Sequence, residues 1–393
     1  MKTYQLTALL GVRNDVSLER YKPGDLSLGV NIDIDETGKV YRRQGTAVRL
    51  AGNMHSLYSN GPTTLVVQNG VLSLVDPVAW SSFPLKTVRG TKLDYATANN
   101  LVYWSDGFES GIYAFGGLRQ WGVNPPASTP IVVRNGALPE GTYQITTTYV
   151  RGDGHESGAP LAESVTVPAN SGFTLALVAS TNPLVTKQRV YITHTNGEVL
   201  FLYAEYPNVA MTADIMDLID GGPVLRTQFM GPAPAGQRVG YFAGRMWVAS
   251  GSFLWYSQPY EYELFDLRNG YVGFDADVTT FSEVSDGLYI GTKKAVHFLG
   301  GTDPTTFERR EVAAYGAILG TEQKLPGHLV GPEGTEGVVQ SITTRSGTCL
   351  CLEHGVFKNL TGSRYFPASA SAGASLLKVR GGTPLLTTTL FKE

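Results

Sequence analysis

Short runs of β-branched and aromatic residues recur along most of the chain, and glycine, asparagine, aspartate and proline separate them. Apolar and polar positions alternate within many of these runs, which is the pattern of strands with one buried face. Such runs are Leu65–Val67, Val71–Val75, Leu101–Trp104, Ile112–Phe115, Gly240–Phe242, Met246–Ala249, Phe253–Ser257, Gly287–Gly291 and Ala295–Leu299. The best helical pattern covers only Met211–Leu218, where it is short and weakly periodic. The chain is therefore predicted to be all-β.

Tight turns join neighbouring runs in pairs. Their central residues include Asn69-Gly70, Asn99-Asn100 and Asp286-Gly287, residue types that accept the positive φ of short hairpin loops. The predicted hairpins are Thr64–Val75, Leu93–Trp104, Val239–Ser250 and Phe281–Gly291. Three of them are followed by a further strand, and a unit of three or four strands recurring about every 40–50 residues is typical of a propeller blade. The length fits roughly six blades, and the blade number stays open.

The sequence changes its pattern between residues 125 and 230. Pro125-Pro126 forms a stiff linker, and hairpins are predicted about Arg151–Gly154 and about Asn196-Gly197. Regular turn signals over roughly 100 residues are typical of a β-sandwich, here similar to a fibronectin type III domain. We therefore predict a β-propeller with an inserted fibronectin type III-like β-sandwich. Residues 1–124 and 231–393 form the propeller, and residues 125–230 form the insert.

Composition and charge argue against several classes of protein. The 393 residues include 31 Lys and Arg against 34 Asp and Glu, and a net charge of −3 disfavours a nucleic-acid coat. A hydrophobic content of 42% argues against a disordered chain. No apolar run approaches the ~20 residues that span a bilayer, and no signal peptide is recognisable. Cys349 and Cys351 fit buried apolar positions on one strand face. Because they are not expected to form a disulfide, the chain is expected to fold in a reducing cytoplasm.

The sequence contains no recognisable constellation of catalytic residues. It has no G-x-S-x-G elbow, no H-E-x-x-H motif and no phosphate-binding loop, and its six histidines are scattered. Ser105-Asp106-Gly107 imitates part of a sialidase box, but its spacing fits a turn that closes Leu101–Trp104 better. We therefore expect a protein that is not an enzyme and that holds no cofactor or metal ion.

One segment near the N-terminus carries acidic residues in a regular pattern. Alternation places Asn31, Asp33 and Asp35 on one strand face, opposite two buried isoleucines, and Glu36 follows in the turn. Three interpretations stay open. The acidic residues form a solvated strand face, or they line a channel for DNA, where like charge discourages sticking. Alternatively they bind Ca²⁺ through their oxygens, although the bidentate glutamate of an EF-hand loop is missing.

Two further groups of residues are candidates for an interface between subunits. Phe253–Phe265 is dense in aromatic residues, and its Tyr260 and Tyr262 are expected to be exposed anchors, since tyrosine is enriched at binding hot spots. Arg309-Arg310 is a basic pair beside a predicted strand. In the simpler interpretation this pair is solvated at the surface. In the more specific one it contacts acidic loops of another copy.

Three stretches of the chain resemble virion proteins of tailed bacteriophages. They are residues 11–46, the insert with residues 141–158 and 189–205, and residues 244–304. They are similar to the β-propeller tail proteins of short-tailed phages, such as the tail nozzle. The resemblance covers most of residues 9–310 and rests on turn, aromatic and blade positions.

The resemblance implies a structural protein of the virion tail that is assembled in the host cytoplasm. It implies a ring, commonly of about six copies, through which genomic DNA passes during ejection. The implied partners are further copies of the chain, upstream tail or adaptor proteins, and tail fibres. The channel or interface candidates are then Asp33, Asp35, Glu36, Tyr260, Tyr262, Arg309 and Arg310.

Two alternatives remain at this point. The first is a carbohydrate-binding or carbohydrate-degrading propeller of the tail, which needs a carboxylate pair about 5–9.5 Å apart. Asp275 with Asp277, or Asp106 with Glu109, could be such a pair. The second is a cytoplasmic scaffold propeller that stays monomeric. In every case a C-terminal hairpin about Gly381-Gly382 is predicted to pair with strands near the N-terminus.

Overall fold

The computed structural model of the chain describes residues 8–35, 37–43, 45, 47–89, 92–128, 130–218, 221–330, 336–367, 369–380 and 383–391. Within these ranges the protein is built mainly of antiparallel strands, which confirms the all-β prediction. Helical turns in the same ranges cover Leu18–Arg20, Gly327–Val330 and Glu353–Gly355. No helix in the described part of the chain has the length and hydropathy needed to cross a membrane.

The N-terminal segment forms two small sheets. β1 (Gly11–Val12) pairs in parallel with β2 (Asp25–Leu26), and β3 (Ile32–Ile34) pairs antiparallel with β4 (Val40–Arg42). The Asp25 side chain is fully buried between the guanidinium groups of Arg13 and Arg364. This bridge fastens the N-terminal segment to a loop near the other end of the chain.

Two four-stranded antiparallel sheets follow, and each of their strands pairs with the next one along the chain. The strands are β5 (Met54–Ser59), β6 (Thr64–Gln68), β7 (Val71–Asp76), β8 (Ser81–Thr87), β9 (Asp94–Ala98), β10 (Leu101–Ser105), β11 (Ser110–Ala114) and β12 (Gly117–Arg119). The two sheets share one apolar core, which contains Leu65, Val67, Leu72, Leu93, Val102 and Trp104. Their alternating apolar residues therefore pack sheet against sheet.

The strands between residues 131 and 215 form two sheets of their own. They are β13 (Ile131–Leu138), β14 (Gly141–Arg151), β15 (Glu163–Val167), β16 (Ser171–Ala176), β17 (Val185–Thr193), β18 (Leu200–Pro207) and β19 (Thr212–Ile215). One sheet has the order β13-β16-β19 and the other β15-β14-β17-β18, and a single apolar core joins them. The helical pattern at Met211–Leu218 is misleading, because β19 pairs with β16 and buries Ala213 and Ile215 at strand spacing.

Antiparallel sheets made of successive strands resume after the insert. Their strands are β20 (Met230–Gly231), β21 (Arg238–Phe242), β22 (Arg245–Ser250), β23 (Phe253–Gln258), β24 (Glu261–Asp266), β25 (Tyr271–Gly273), β26 (Val278–Val284), β27 (Gly287–Thr292), β28 (Val296–Gly300), β29 (Glu308–Ala313), β30 (Gln323–Pro326), β31 (Val338–Thr344), β32 (Gly347–Cys351) and β33 (Phe357–Asn359). The sheets are β20-β24-β23-β22-β21 with β25 on β23, then β26–β29, then β30–β33. Cys349 and Cys351 are buried, unbridged core residues of β32, as predicted.

The predicted hairpins are confirmed, and their turns explain why. Asn69-Gly70, Asn99-Asn100 and Ala243-Gly244 all have positive φ, between 48° and 78°. Positive φ at both central residues is the geometry of a type I′ turn, whose twist matches that of the strands. The fourth turn, Ser285-Asp286, joins β26 to β27 without positive φ, so the positive φ expected at Asp286-Gly287 is wrong and this hairpin uses another turn type.

In four successive sheets, one strand of each sheet lies beside one strand of the next. β9 lies beside β21, β21 beside β26 and β26 beside β31, while the ring of Tyr58 in β5 stacks on Tyr95 in β9 with centroids 5.0 Å apart. A polar cluster fills the space among them. In it the buried Arg238 side chain contacts Asp94 and Glu322, each at 3.1 Å. The series of sheets thus continues directly across the inserted strands.

The C-terminal strands β34 (Ala372–Arg380) and β35 (Thr383–Phe391) form a hairpin. The prediction that it pairs with N-terminal strands is wrong for the described residues, where β34 and β35 form a sheet of their own. Side chains of both chain ends, among them Ile32 and Leu386, instead line a cavity of about 610 Å³. Gly373 N–H donates to Leu319 C=O at 2.8 Å, which joins the hairpin to the segment before β30. The predicted turn at Gly381-Gly382 lies outside the described residues.

Candidate functional site

The acidic residues predicted near the N-terminus serve a hairpin turn and an ion pair. Asp33 binds Arg43 at 2.9 Å, and Asp35 accepts hydrogen bonds in the turn between β3 and β4. The hydrogen bond from the Thr37 hydroxyl is the main reason why the pKa of Asp35 lies below its usual value. The predicted alternation is wrong for Asn31, whose φ of 57° turns the chain before β3 begins.

Glu36, the last acidic candidate of this segment, lies outside the described residues. The two flanking isoleucines, Ile32 and Ile34, are half-buried rather than buried. In the part of the chain that the structure describes, no group of three His, Cys, Asp or Glu side chains could hold a metal ion. A channel-facing role for Asp33 and Asp35 stays a prediction.

Arg309 and Arg310 both lie in β29 and contact loops of neighbouring strands. Arg309 donates to the Gly273 carbonyl at 2.9 Å, and its guanidinium lies 4.6 Å from the centre of the Phe274 ring. Arg310 donates to the His354 carbonyl at 2.7 Å. Both arginines remain exposed while they fasten these loops, so a contact with another copy stays a prediction.

Tyr260 and Tyr262 have opposite environments. Tyr260 lies in the turn between β23 and β24 and is 77% exposed, as expected for an anchor. The expectation is wrong for Tyr262, which is only 7% exposed because it faces inward from β24. Its ring makes edge-to-face contacts with Tyr103 and Tyr241, and burial raises its pKa to about 12.

The residue after Tyr262 joins the insert to the sheets on both sides of it. Glu263 in β24 accepts two hydrogen bonds from Arg119 in β12, at 2.6 and 2.7 Å. It accepts two more from Arg151 at the end of β14, at 2.7 and 2.9 Å. Its Oε2 atom also lies 3.2 Å from the Gly122 amide, in the linker that enters the insert. One carboxylate therefore binds the sheet before the insert, the insert itself and the sheet after it.

This cluster is charged although it is buried. The Glu263 side chain is 9% exposed and that of Arg151 6%. Desolvation by burial would raise the pKa of Glu263, but the hydrogen bonds from Arg151 and Arg119 outweigh it and hold the pKa at about 2. Local sequence signals cannot reveal the cluster, because its members come from separate elements and lie 112 and 144 residues from Glu263.

A cleft opens beside the cluster, between the insert and the β23–β24 turn. It has a volume of about 770 Å³, and we name it the junction cleft. Its walls include Asn99, Tyr103, Arg119, Arg151, Asp153, His155, Glu156, Arg226, Gln258, Tyr260, Glu261, Tyr262 and Glu263. The His155 Nε2 atom is buried and has no hydrogen-bond partner among the described residues. Of these residues, the sequence predicted a functional role only for Tyr260 and Tyr262.

Three of the four carboxylates considered for glycoside hydrolysis make local contacts. Asp106 accepts two backbone hydrogen bonds in its own turn, at 2.8 and 2.7 Å. Glu109 pairs with Lys86 at 2.9 Å, and Asp277 pairs with Lys293 at 2.6 Å. A catalytic pair among these carboxylates stays an untested alternative.

No family model matches the chain, and no curated protein matches it either. Among solved structures, it is similar to the extracellular domain of a hybrid two-component system from B. thetaiotaomicron, at 9% identity and a TM-score of 0.25, covering 87% of this chain and 58% of that one. It is also similar to the AfRom2 CNH domain, at 10% identity and a TM-score of 0.26, covering 80% and 82%.

A third similar structure is PorZ, a surface component of the type-IX secretion system of Porphyromonas gingivalis. The identity is 13% and the TM-score 0.20, and the match covers 83% of this chain and 50% of PorZ. The chain therefore spans less than two thirds of PorZ and of the B. thetaiotaomicron domain. At these TM-scores the similarities carry no argument about the function of this chain.

Proposed function

We propose that the protein is a non-catalytic structural component of a short phage tail that assembles into a ring around the path of the genome. The observation that carries this proposal is the Arg119–Glu263–Arg151 cluster. Because it fixes the insert to the sheets on both sides, the chain forms one stiff building block, as a ring that withstands mechanical force requires. The resemblance of residues 11–46, 141–158, 189–205 and 244–304 to phage tail propellers supports the choice of assembly.

We infer that the successive sheets are the blades of a β-propeller and that the insert is a fibronectin type III-like sandwich. The side-by-side strands β9, β21, β26 and β31, one from each of four consecutive sheets, support the propeller, because one strand of each blade lines a propeller's axis. The polar cluster of Asp94, Arg238 and Glu322 occupies the space among these strands. The genome therefore passes through the hole between copies and not along the axis of a single chain.

An edge strand of the insert is the surface that we assign to assembly. β13 pairs on one side with β16, and within the described residues no strand covers its other edge. Val132 and Val133 on this strand are about half exposed. An open apolar edge strand invites pairing with another chain unless it is protected, and here the partner is a neighbouring copy in the ring.

Light scattering over a range of concentrations tests this proposal. A ring of about six copies has a mass of about 250 kDa. Val132→Lys places a charge on the outward side of the open edge and should shift the mass toward that of one chain, 42.3 kDa. Val78→Lys, at an exposed valine outside β13, is the matched control and should assemble like the wild type. Wild-type protein that stays at 42.3 kDa at every concentration contradicts the proposal.

A further inference from the structure

The junction cleft has the form of a prepared ligand site. It lies where an inserted unit meets the sheets around it, and its volume of about 770 Å³ falls in the range of small-molecule pockets. Its floor is held in place by the four hydrogen bonds between Glu263 and its two arginines. A site with such a floor does not have to reorganise before it binds.

An exposed aromatic ring stands at the rim of this cleft. Tyr260 has a φ of 59°, in the left-handed region that residues with a Cβ atom seldom adopt. Its amide donates to the Gly244 carbonyl at 2.8 Å, and Gly244 leaves room for the tyrosine ring above it. What distinguishes Tyr260 from other exposed aromatic residues is its place at the rim of the cleft, where its ring is free to stack on a ligand.

The charges around the cleft balance one another. Glu263 and Asp153 are paired with arginines inside the cleft, and Glu156 is paired with Arg189 at 2.6 Å. Arg226 and Glu261 make no ion pair within the described residues, and they contribute one charge of each sign. No excess charge is therefore left to attract an ion, while planar polar groups remain that can hydrogen-bond to hydroxyl groups.

We propose that the junction cleft binds a neutral oligosaccharide, with Tyr260 stacked on a sugar ring and with Arg226 and Glu261 hydrogen-bonded to sugar hydroxyl groups. The apolar C–H face of a sugar ring fits an exposed aromatic ring, and its hydroxyl groups fit the two exposed polar side chains. The binding involves no bond cleavage. It does not depend on assembly into a ring, so either proposal can fail without the other.

The test is a glycan array probed with the labelled full-length chain, followed by calorimetry with the best neutral glycan. The array includes chitotetraose, maltotetraose and mannotetraose, with sialylated and sulfated glycans as the anionic arm. We expect saturable binding of at least one neutral glycan. Tyr260→Ala should weaken it at least about 10-fold, and Tyr260→Trp should retain it, because an aromatic ring is still present.

The control is Phe115→Ala, which removes another fully exposed aromatic ring and should bind like the wild type. Thermal unfolding of each variant confirms that it is folded. Three results overturn the proposal. They are binding of no neutral glycan, binding of anionic glycans alone, and neutral-glycan binding that Tyr260→Ala leaves unchanged.

Discussion

Arg151 and Glu263 form a two-pronged ion pair across 112 residues of chain, with Nη1–Oε2 and Nη2–Oε1 distances of 2.7 and 2.9 Å. Burial makes an ion pair costly unless its remaining hydrogen-bonding capacity is also satisfied. Here Arg119 supplies the other two contacts, so the carboxylate is fully engaged. The pair therefore fixes how the insert sits on the adjoining sheets.

The first prediction ranks the losses of stability that follow when different members of this cluster are replaced. Glu263→Leu leaves the buried Arg151 and the partly buried Arg119 without their shared partner and should cost on the order of 3–5 kcal/mol of stability. Arg151→Met should cost less, because Arg119 still neutralises the carboxylate. Urea unfolding measures both free energies of unfolding.

Lys187→Met is the control for these variants. Lys187 pairs with Glu205 at 2.6 Å, but both side chains are largely in solvent, so the loss should stay below about 1 kcal/mol. If Glu263→Leu were no more destabilising than Lys187→Met, the cluster would not hold the insert in place.

The second prediction is a loss of stability in acid. The pKa of Glu263 is about 2 in the folded protein, against 4.5 for an ordinary glutamate. Its folded pKa is depressed, so its contribution is fully present above about pH 4.5 and is lost as the pH falls toward 2. The full contribution is on the order of 3 kcal/mol. Urea midpoints at pH 7, 4 and 3 measure it.

Glu263→Gln is the comparison that isolates this residue. The variant has no carboxylate to protonate at this position, so its stability should fall less steeply between pH 4.5 and pH 3. Identical pH dependence in the wild type and in Glu263→Gln would assign the acid sensitivity to other groups.

The third prediction is that Tyr260→Gly stabilises the protein and abolishes oligosaccharide binding. Glycine adopts the observed φ of 59° without strain, which should gain about 0.5–1 kcal/mol. Little packing is lost, because the tyrosine is mostly in solvent. Thermal unfolding and calorimetry with the array-selected glycan check the two halves of this prediction.

Phe115→Gly is a matched control for Tyr260→Gly. Phe115 is fully exposed and has a φ of 49°, so the same relief of strain is expected there. It lies outside the junction cleft, and its substitution should therefore leave glycan binding unchanged. Loss of binding in both variants would point to a general effect of the glycine rather than to the tyrosine ring.

The fourth prediction concerns the attachment of the C-terminal hairpin. Lys92 Nζ donates to the Gly320 and Gly373 carbonyls at 3.0 and 2.7 Å, which ties the segment before β9 to β34. Lys92→Met should speed amide hydrogen exchange in β34 and β35 while leaving β6 and β7 at wild-type rates. Exchange that rises equally in all sheets would contradict a local role for Lys92.

Much of the strand pattern could be predicted because hairpin turns are local. Asn69-Gly70 and Asn99-Asn100 carry their positive φ in their own residue types, so hairpin positions follow from a few consecutive letters. β19 was missed because Ala213 and Ile215 are also compatible with a short helix. Only the pairing of β19 with β16 decides between the two structures.

The site residues were less predictable, since tertiary contacts create the site. The chain around Tyr260 and Tyr262 gives no sign of which ring is buried, because a register shift between Ser257 and Gln258 sets how β24 meets its neighbours. Glu263 is one acidic residue among many in the sequence. Its role exists only where β12, β14 and β24 come together.

Cryo-electron microscopy of the purified chain, at the concentration where light scattering gives its highest mass, tests the central claim most directly. The account predicts closed rings of about six copies with a central hole. In these rings, β13 of each insert contacts the neighbouring copy of the chain. Val132→Lys should remove the rings from the images, and Val78→Lys should keep them. Single chains without contacts at β13, or open chains of copies that never close, would contradict the account.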